Sequence, residues 1–137
     1  MSALTGHCNC GGVRFEINAP LTHASYCHCT RCQRRTGAGA SANAVIPPGA
    51  LRIVAGEELI RSWQPKDGFA KAFCSVCGSH LYSEDPADAD RRAIRLGVID
   101  GDPGVRLQYR HHVATAAVWE PIPDDGLPRY ADIPEAG

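Results

Sequence analysis

The chain has 137 residues, a formal net charge of -1, 44% hydrophobic and 21% charged residues. That is the profile of one soluble globular domain, long enough to bury about 65–70% of its unfolded surface. The charge excludes a general nucleic-acid or anionic-membrane binder, which needs a basic excess. No apolar run approaches the roughly 20 residues of a membrane span. The start "MSALTGHCNC" lacks the basic-then-apolar order of a secretory leader. A cytoplasmic setting is therefore expected, where disulfides are rare. Seven cysteines, an odd number, then point to metal or catalysis.

In chain order the sequence reads as mostly β. In "GGVRFEINAP" Val13, Phe15 and Ile17 alternate against Arg14, Glu16 and Asn18, the period of a half-buried strand that Pro20 ends. "HASYCHC" predicts a short strand running into a cysteine cluster. "TRCQRRTG" predicts one helical turn, with Thr30 as cap and Gly37 as stop. "ASANAVIPPG" predicts a small-residue strand closed by a Pro-Pro-Gly turn, and "LRIVAG" with "ELIRSW" a hairpin around Gly56. "FAKAFC" delivers Cys74 on a strand, "SHLYSED" leaves the next cluster as another, and "RRAIRLGVI" is a β-prone run before the turn "DGDPG". "VRLQYRHHVATAAVW" predicts one or two strands, and the Pro-, Asp- and Gly-rich "EPIPDDGLPRYADIPEAG" an irregular surface tail. The expectation is a single all-β or β-dominated domain over residues 1–137 with short helical turns, irregular from about residue 120.

The cysteines divide as four and three. Cys8 and Cys10 lie in "HCNCGG", Cys74 and Cys77 in "FCSVCGS". Each spacing lets two thiolates converge on one cation, and Gly11, Gly12 and Gly78 free the backbone to turn its amides toward the sulfurs. Two such pairs make a four-thiolate tetrahedron, the closed structural form of a zinc site. Cys27, Cys29 and Cys32 remain, in "YCHCTRC". Three protein ligands with an exchangeable fourth position mark a catalytic zinc. Three thiolates around a zinc dication leave a net charge of about -1, a blunted Lewis acid better suited to a soft thiol than to activating water. Arg31, Arg34 and Arg35 follow in "TRCQRR". Arg31 and Arg35 are candidate contacts for an anionic thiol ligand.

Other readings stand beside these. The three cysteines could hold a second structural zinc, with His28, His80 or His7 as fourth ligand. His28, placed between cysteines, should point away, which favours His80. The spacings do not match the common ferredoxin runs of an iron–sulfur cluster. The arginines could be a solvated helix face. His111 and His112 fall in a strand-like stretch and should point to opposite faces, so at most one could face a site.

"GHCNCGGVRF", "CHCTRCQRRTG" and "FCSVCGSHLY", in this order, resemble the glutathione-dependent formaldehyde-activating and centromere-protein-V family, which carries C-x-C, C-x-C-x-x-C and C-x-x-C-G. The resemblance spans about residues 5 to 120. It implies a zinc-stapled structure of two facing antiparallel sheets, similar to the methionine-R-sulfoxide reductases. It places a structural zinc on Cys8, Cys10, Cys74 and Cys77, and a catalytic zinc on Cys27, Cys29 and Cys32. It implies a carbon–sulfur lyase in which glutathione and formaldehyde form S-(hydroxymethyl)glutathione. The chain looks more compact than the formaldehyde-activating members, with little left over to build a glutathione pocket. The alternative class is a non-catalytic zinc-stabilised binding or scaffold module, and the fourth ligand of the second zinc separates the two. A redox role would need a reactive cysteine outside both sets, and four plus three leaves none.

Overall fold

The structure is a computed structural model that describes residues 3–133. Among these residues the chain forms strands β1 (Leu4–His7), β2 (Arg14–Ile17) and β3 (Thr22–Cys27), helix α1 (Thr30–Thr36), then β4 (Ser41–Ile46), β5 (Leu51–Ala55), β6 (Ile60–Trp63), β7 (Ala70–Cys74), β8 (His80–Asp85), β9 (Asp88–Arg95) and β10 (Tyr109–His111). Short 3-10 turns cover Glu57–Leu59, Leu96–Val98 and Val113–Thr115. The chain is β-dominated, as the alternation predicts. It gathers into two compact units: the chain up to Thr22 with Ala44–Val105, and His23–Asn43 with the chain from Arg106 onward.

In the first unit, β1, β2 and β5 form an antiparallel sheet with β2 central. The strands β9, β8, β7 and β6 follow one another in a second antiparallel array. The alternation in β2 puts Phe15 and Ile17 inside, with Val13 just before them, and Leu81 and Ile94 come from the other array. Burying each such side chain contributes about 1.5–3 kcal/mol. Cys8, Val13, Cys74 and Leu81 form one buried cluster, so the apolar core reaches the first cysteine set directly.

The expected hairpin around Gly56 does not form. Here β5 pairs with β2 and β6 with β7, so Gly56 is a corner between two sheets. Its φ of 77° is left-handed, and a Cβ there would overlap the Gly12 carbonyl, so the close approach of these two backbones requires glycine.

In the second unit, β10 runs beside β3 in parallel, with Tyr109 opposite Ser25, Arg110 opposite Tyr26 and His111 opposite Cys27. This departs from the all-antiparallel expectation. Only Tyr109–His111 of "VRLQYRHHVATAAVW" is strand, because His112 turns left-handed (φ 57°, ψ 35°) and opens a 3-10 turn. The tail is largely irregular over its described part; residues 134–137 of that expectation lie outside the described residues. It is nonetheless tied down. Arg110 N–H donates to the Pro128 carbonyl at 2.9 Å, and Tyr130 N–H donates to the Arg110 carbonyl at 2.9 Å.

Candidate metal centres

The first unit holds Cys8, Cys10, Cys74 and Cys77 with their sulfurs all within 4.8 Å of one another. The two loops that carry them close alike. Cys8 N–H donates to the Val13 carbonyl at 3.1 Å and Cys74 N–H to the Ser79 carbonyl at 3.0 Å, each five residues ahead. Gly11 and Gly78 make the tight reversals inside these loops, both at φ 77°. As the sequence suggests, amides turn to the sulfurs: Val13 N–H to Cys8 Sγ at 3.3 Å and Gly12 N–H to Cys10 Sγ at 3.4 Å. The sulfurs of Cys8 and Cys10 are 3.5 Å apart and those of Cys10 and Cys74 are 3.9 Å apart. A tetrahedron with zinc–sulfur bonds of about 2.3 Å has edges of about 3.8 Å, so the donor set fits a zinc ion.

The ionisation of these thiols is divided among them. Burial pushes Cys8 up, but the Val13 amide and the neighbouring sulfurs hold it below its ordinary value. The Ser79 hydroxyl and amide lower Cys77 to about 5. At Cys10 the Gly12 amide lowers the thiol, but Cys8 and the other sulfurs outweigh it and push it up to about 11. Thiolates this close cannot all ionise against one another, whereas a divalent cation among them makes full deprotonation favourable.

The second unit holds Cys27, Cys29 and Cys32, whose sulfurs again lie within 4.8 Å of one another. Strand β3 ends at Cys27 and α1 begins beyond Cys29, which brings the three together. Cys29, not Thr30, caps the helix, accepting from Cys32 N–H at 3.3 Å, and Gly37 ends it in the left-handed conformation. The helix is seven residues, longer than the single turn expected. Cys27 and Cys29 are pushed apart, Cys27 up and Cys29 down, each chiefly by the other's sulfur.

Two histidines form a second group that shares only Cys27 with this one. Donor atoms of Cys27, His111 and His112 lie within 4.8 Å of one another. The expectation that at most one of these histidines could face a site is overturned. The left-handed turn at His112 breaks the two-residue alternation, and the two rings lie on one side with centroids 5.0 Å apart. His111 Nδ1 is buried without a hydrogen-bond partner. Burial, helped by the His112 charge and opposed by Cys29, lowers His111 to about 4. The chosen fourth ligand does not appear: His80 lies on β8 in the first unit, and among the described residues it joins no metal-capable group. His7 pairs with Asp100 at 2.7 Å. His28 points away from the thiols, as its position predicts, with Nε2 3.2 Å from Arg110 Nη1.

The opposite face of β3 and β10 carries a cavity of about 250 Å³ lined by Tyr26, His28, Gly39, Arg110 and Glu120. The register pairs explain the split. Tyr26 and Arg110 face the cavity, while Cys27 and His111 face the thiols. Arg110 is already engaged there, with Nη2 2.7 Å from Asp125 and its guanidinium over the Tyr26 ring at 4.1 Å. Among the arginines, Arg34 is exposed while Arg31 and Arg35 are half-buried. Burial lowers Arg35, and the Cys32 sulfur opposes that, which places Arg35 within electrostatic reach of the cluster.

Two sheets carrying one four-thiol and one three-thiol cluster define a β protein built around metal-capable cysteine centres. The sequence matches the family described as "Glutathione-dependent formaldehyde-activating enzyme" over residues 3–117, most of its length, and the chain belongs to that family. Relatives from Sordaria macrospora and Colletotrichum graminicola that bear the family's name are 26% identical over 72 and 76 residues, covering 53% and 56% of this chain. Those matches span 30% and 40% of the relatives, less than half their length. A Rhodobacter sphaeroides protein of known crystal structure is similar at a TM-score of 0.56 and 26% identity, covering 72% of this chain and 89% of that one. No helix among the described residues is long and apolar enough to cross a membrane.

Proposed function

We propose that the chain is a zinc-dependent enzyme of carbon–sulfur bond chemistry, joining a small thiol of the glutathione class to formaldehyde. The observation that carries this is the asymmetry of the two centres: four converging thiols in one, three in the other. Zinc held by Cys8, Cys10, Cys74 and Cys77 would be structural, and zinc held by Cys27, Cys29 and Cys32 would supply a soft centre at which a thiol is favoured as thiolate near neutral pH. The sulfur forms a bond to the formaldehyde carbon, the carbonyl π bond breaks, and the oxygen gains the proton the thiol gave up. The product is S-(hydroxymethyl)glutathione, and the reverse reaction is the lyase direction. Arg35, with Arg31 on the same side of α1, offsets negative charge gathered near Cys32. Positioning the two reactants together lowers the barrier without further chemistry. A cytoplasmic setting would keep the seven cysteines reduced.

A second reading has its own observation. Donor atoms of His111 and His112 lie within 4.8 Å of Cys27 Sγ, so Cys27 could instead share a metal with the two histidines, leaving a zinc-stabilised module without turnover. Cobalt substitution distinguishes the two. Glutathione should raise the sulfur-to-cobalt charge-transfer absorption of the second centre while S-methylglutathione should not, and S-(hydroxymethyl)glutathione should form faster than without protein. No spectral change and no adduct formation would return the chain to the module reading.

A further inference from the structure

We infer that Cys27, His111 and His112 form a metal position of their own in the second unit, beside the three-thiol set and meeting it at the Cys27 sulfur, which takes a divalent ion of the zinc class. The position stands whether or not the thiol chemistry proposed above holds.

The donor set comes first. One ring nitrogen of each histidine and Cys27 Sγ lie within 4.8 Å of one another. Neither Cys29 nor Cys32 belongs to this group, so two sets of three donors flank one sulfur. A zinc ion on two imidazoles and a thiolate holds those atoms about 3.3–3.6 Å apart, a spacing that small ring rotations reach from here. Imidazole and thiolate together suit zinc, cobalt or nickel. The group contains no carboxylate, so a hard ion such as magnesium meets none of the oxygen ligands it requires.

The main chain places these donors independently of any ion. His111 stands opposite Cys27 in the parallel pair of β10 and β3, which puts both side chains on one face. The φ of 57° at His112 is costly for a non-glycine residue, and it brings that ring to the same side, 5.0 Å from the ring of His111. The strained residue is fastened at both ends: His112 N–H donates to the Asp132 carbonyl at 2.8 Å, and Thr115 N–H donates to the His112 carbonyl at 3.2 Å. The His111 carbonyl accepts from His28 N–H at 3.0 Å. Ring nitrogens take no part in this scaffold. His111 Nδ1 is buried with no hydrogen-bond partner among the described residues. Such an atom is costly, and it points to a ligand that the protein's own groups do not supply.

Charge sets the order of filling. This position offers one thiolate where the other sets offer three and four, so it holds a dication least tightly and fills last. A thiolate keeps lone pairs enough for two cations, so the Cys27 sulfur can serve both positions.

Zinc titration of the full chain, followed by nitrogen-15 spectra of the histidine rings, tests this. Past two equivalents, one ring nitrogen of His111 and one of His112 should move together to the metal-bound region, and magnesium in the same excess should move neither. His111→Ala should raise the zinc concentration needed to shift His112 at least about tenfold, with the first two equivalents still bound. Cys27→Ser should abolish both shifts. Rings unmoved at saturating zinc, one ring moving alone, or shifts that survive the loss of the Cys27 sulfur overturn the inference. Movement of both rings within the first two equivalents also overturns it, because the histidines would then be taking Cys27 from the thiol set rather than building a further position beside it.

Discussion

His112 sits at φ 57° and ψ 35°, and the placing of both histidine rings beside Cys27 follows from that one residue. Extended backbone there would send the rings of His111 and His112 to opposite faces, and period-two reasoning from sequence assumes so. "YRHHVAT" does not announce the left-handed turn, since positive φ is uncommon for any non-glycine residue even though histidine is enriched there. The cysteines were legible because short spacings between soft ligands carry their own geometry, whereas the histidines depended on a backbone angle set by the tail. The arginines divide at the same scale. Arg34 is a solvated residue, but Arg35 feels Cys32. Arg35→Ala should raise the dissociation constant of glutathione about fivefold, the order of a partly exposed charge contact, with zinc content unchanged by atomic absorption. An unchanged constant would make Arg35 part of the solvated face.

At the scale of elements, strands with internal alternation were readable and their partners were not. β2 and β7 follow directly from "VRFEI" and "FAKAFC", yet β5 and β6 looked like a hairpin because a glycine lies between two β-prone runs. The corner at Gly56 is required by close backbone approach to Gly12, which is a fact of packing. The parallel pairing of β10 with β3 was likewise hidden, because its register depends on Arg110 and the tail. That dependence is testable by pH. The Arg110 guanidinium, hydrogen-bonded to Asp125, holds the Asp125 carboxyl below its usual range. A carboxylate depressed in the folded state stabilises above its unfolded value near 4 and loses that contribution as pH falls through the lower folded value. Asp125→Asn should therefore melt earlier than wild type at neutral pH, leaving Arg110 with an unpaired buried charge. The gap between the two melting temperatures should be constant from pH 7 to about pH 5 and close at more acid pH. A gap that persists at acid pH would mean the pair does not anchor β10.

For the whole molecule, the assignment of one thiol centre to each compact unit makes their contributions separable. Cys8 and Cys74 are fully buried and pack against Val13 and Leu81, so the four-thiol centre is continuous with the apolar core of its unit. A structural zinc contributes about 10–16 kcal/mol in small peptides, comparable to the whole stability of a domain. Opening the four-thiol centre would leave a hole in the core as well as cost the zinc proposed there. Cys29, by contrast, is half-buried at a helix cap, a position where a serine hydroxyl accepts the same amide hydrogen bond. Cys74→Ser should thus abolish the cooperative melting transition, while Cys29→Ser should shift it by only a few degrees and lose one of the two zinc ions proposed here. A mild chelator applied to the wild-type chain should reproduce the second result, removing the zinc of the three-thiol centre first with strand content by circular dichroism intact. Equal melting of the two variants, or simultaneous loss of both ions with the fold, would show that the centres are not divided into a closed structural set and an exchangeable one.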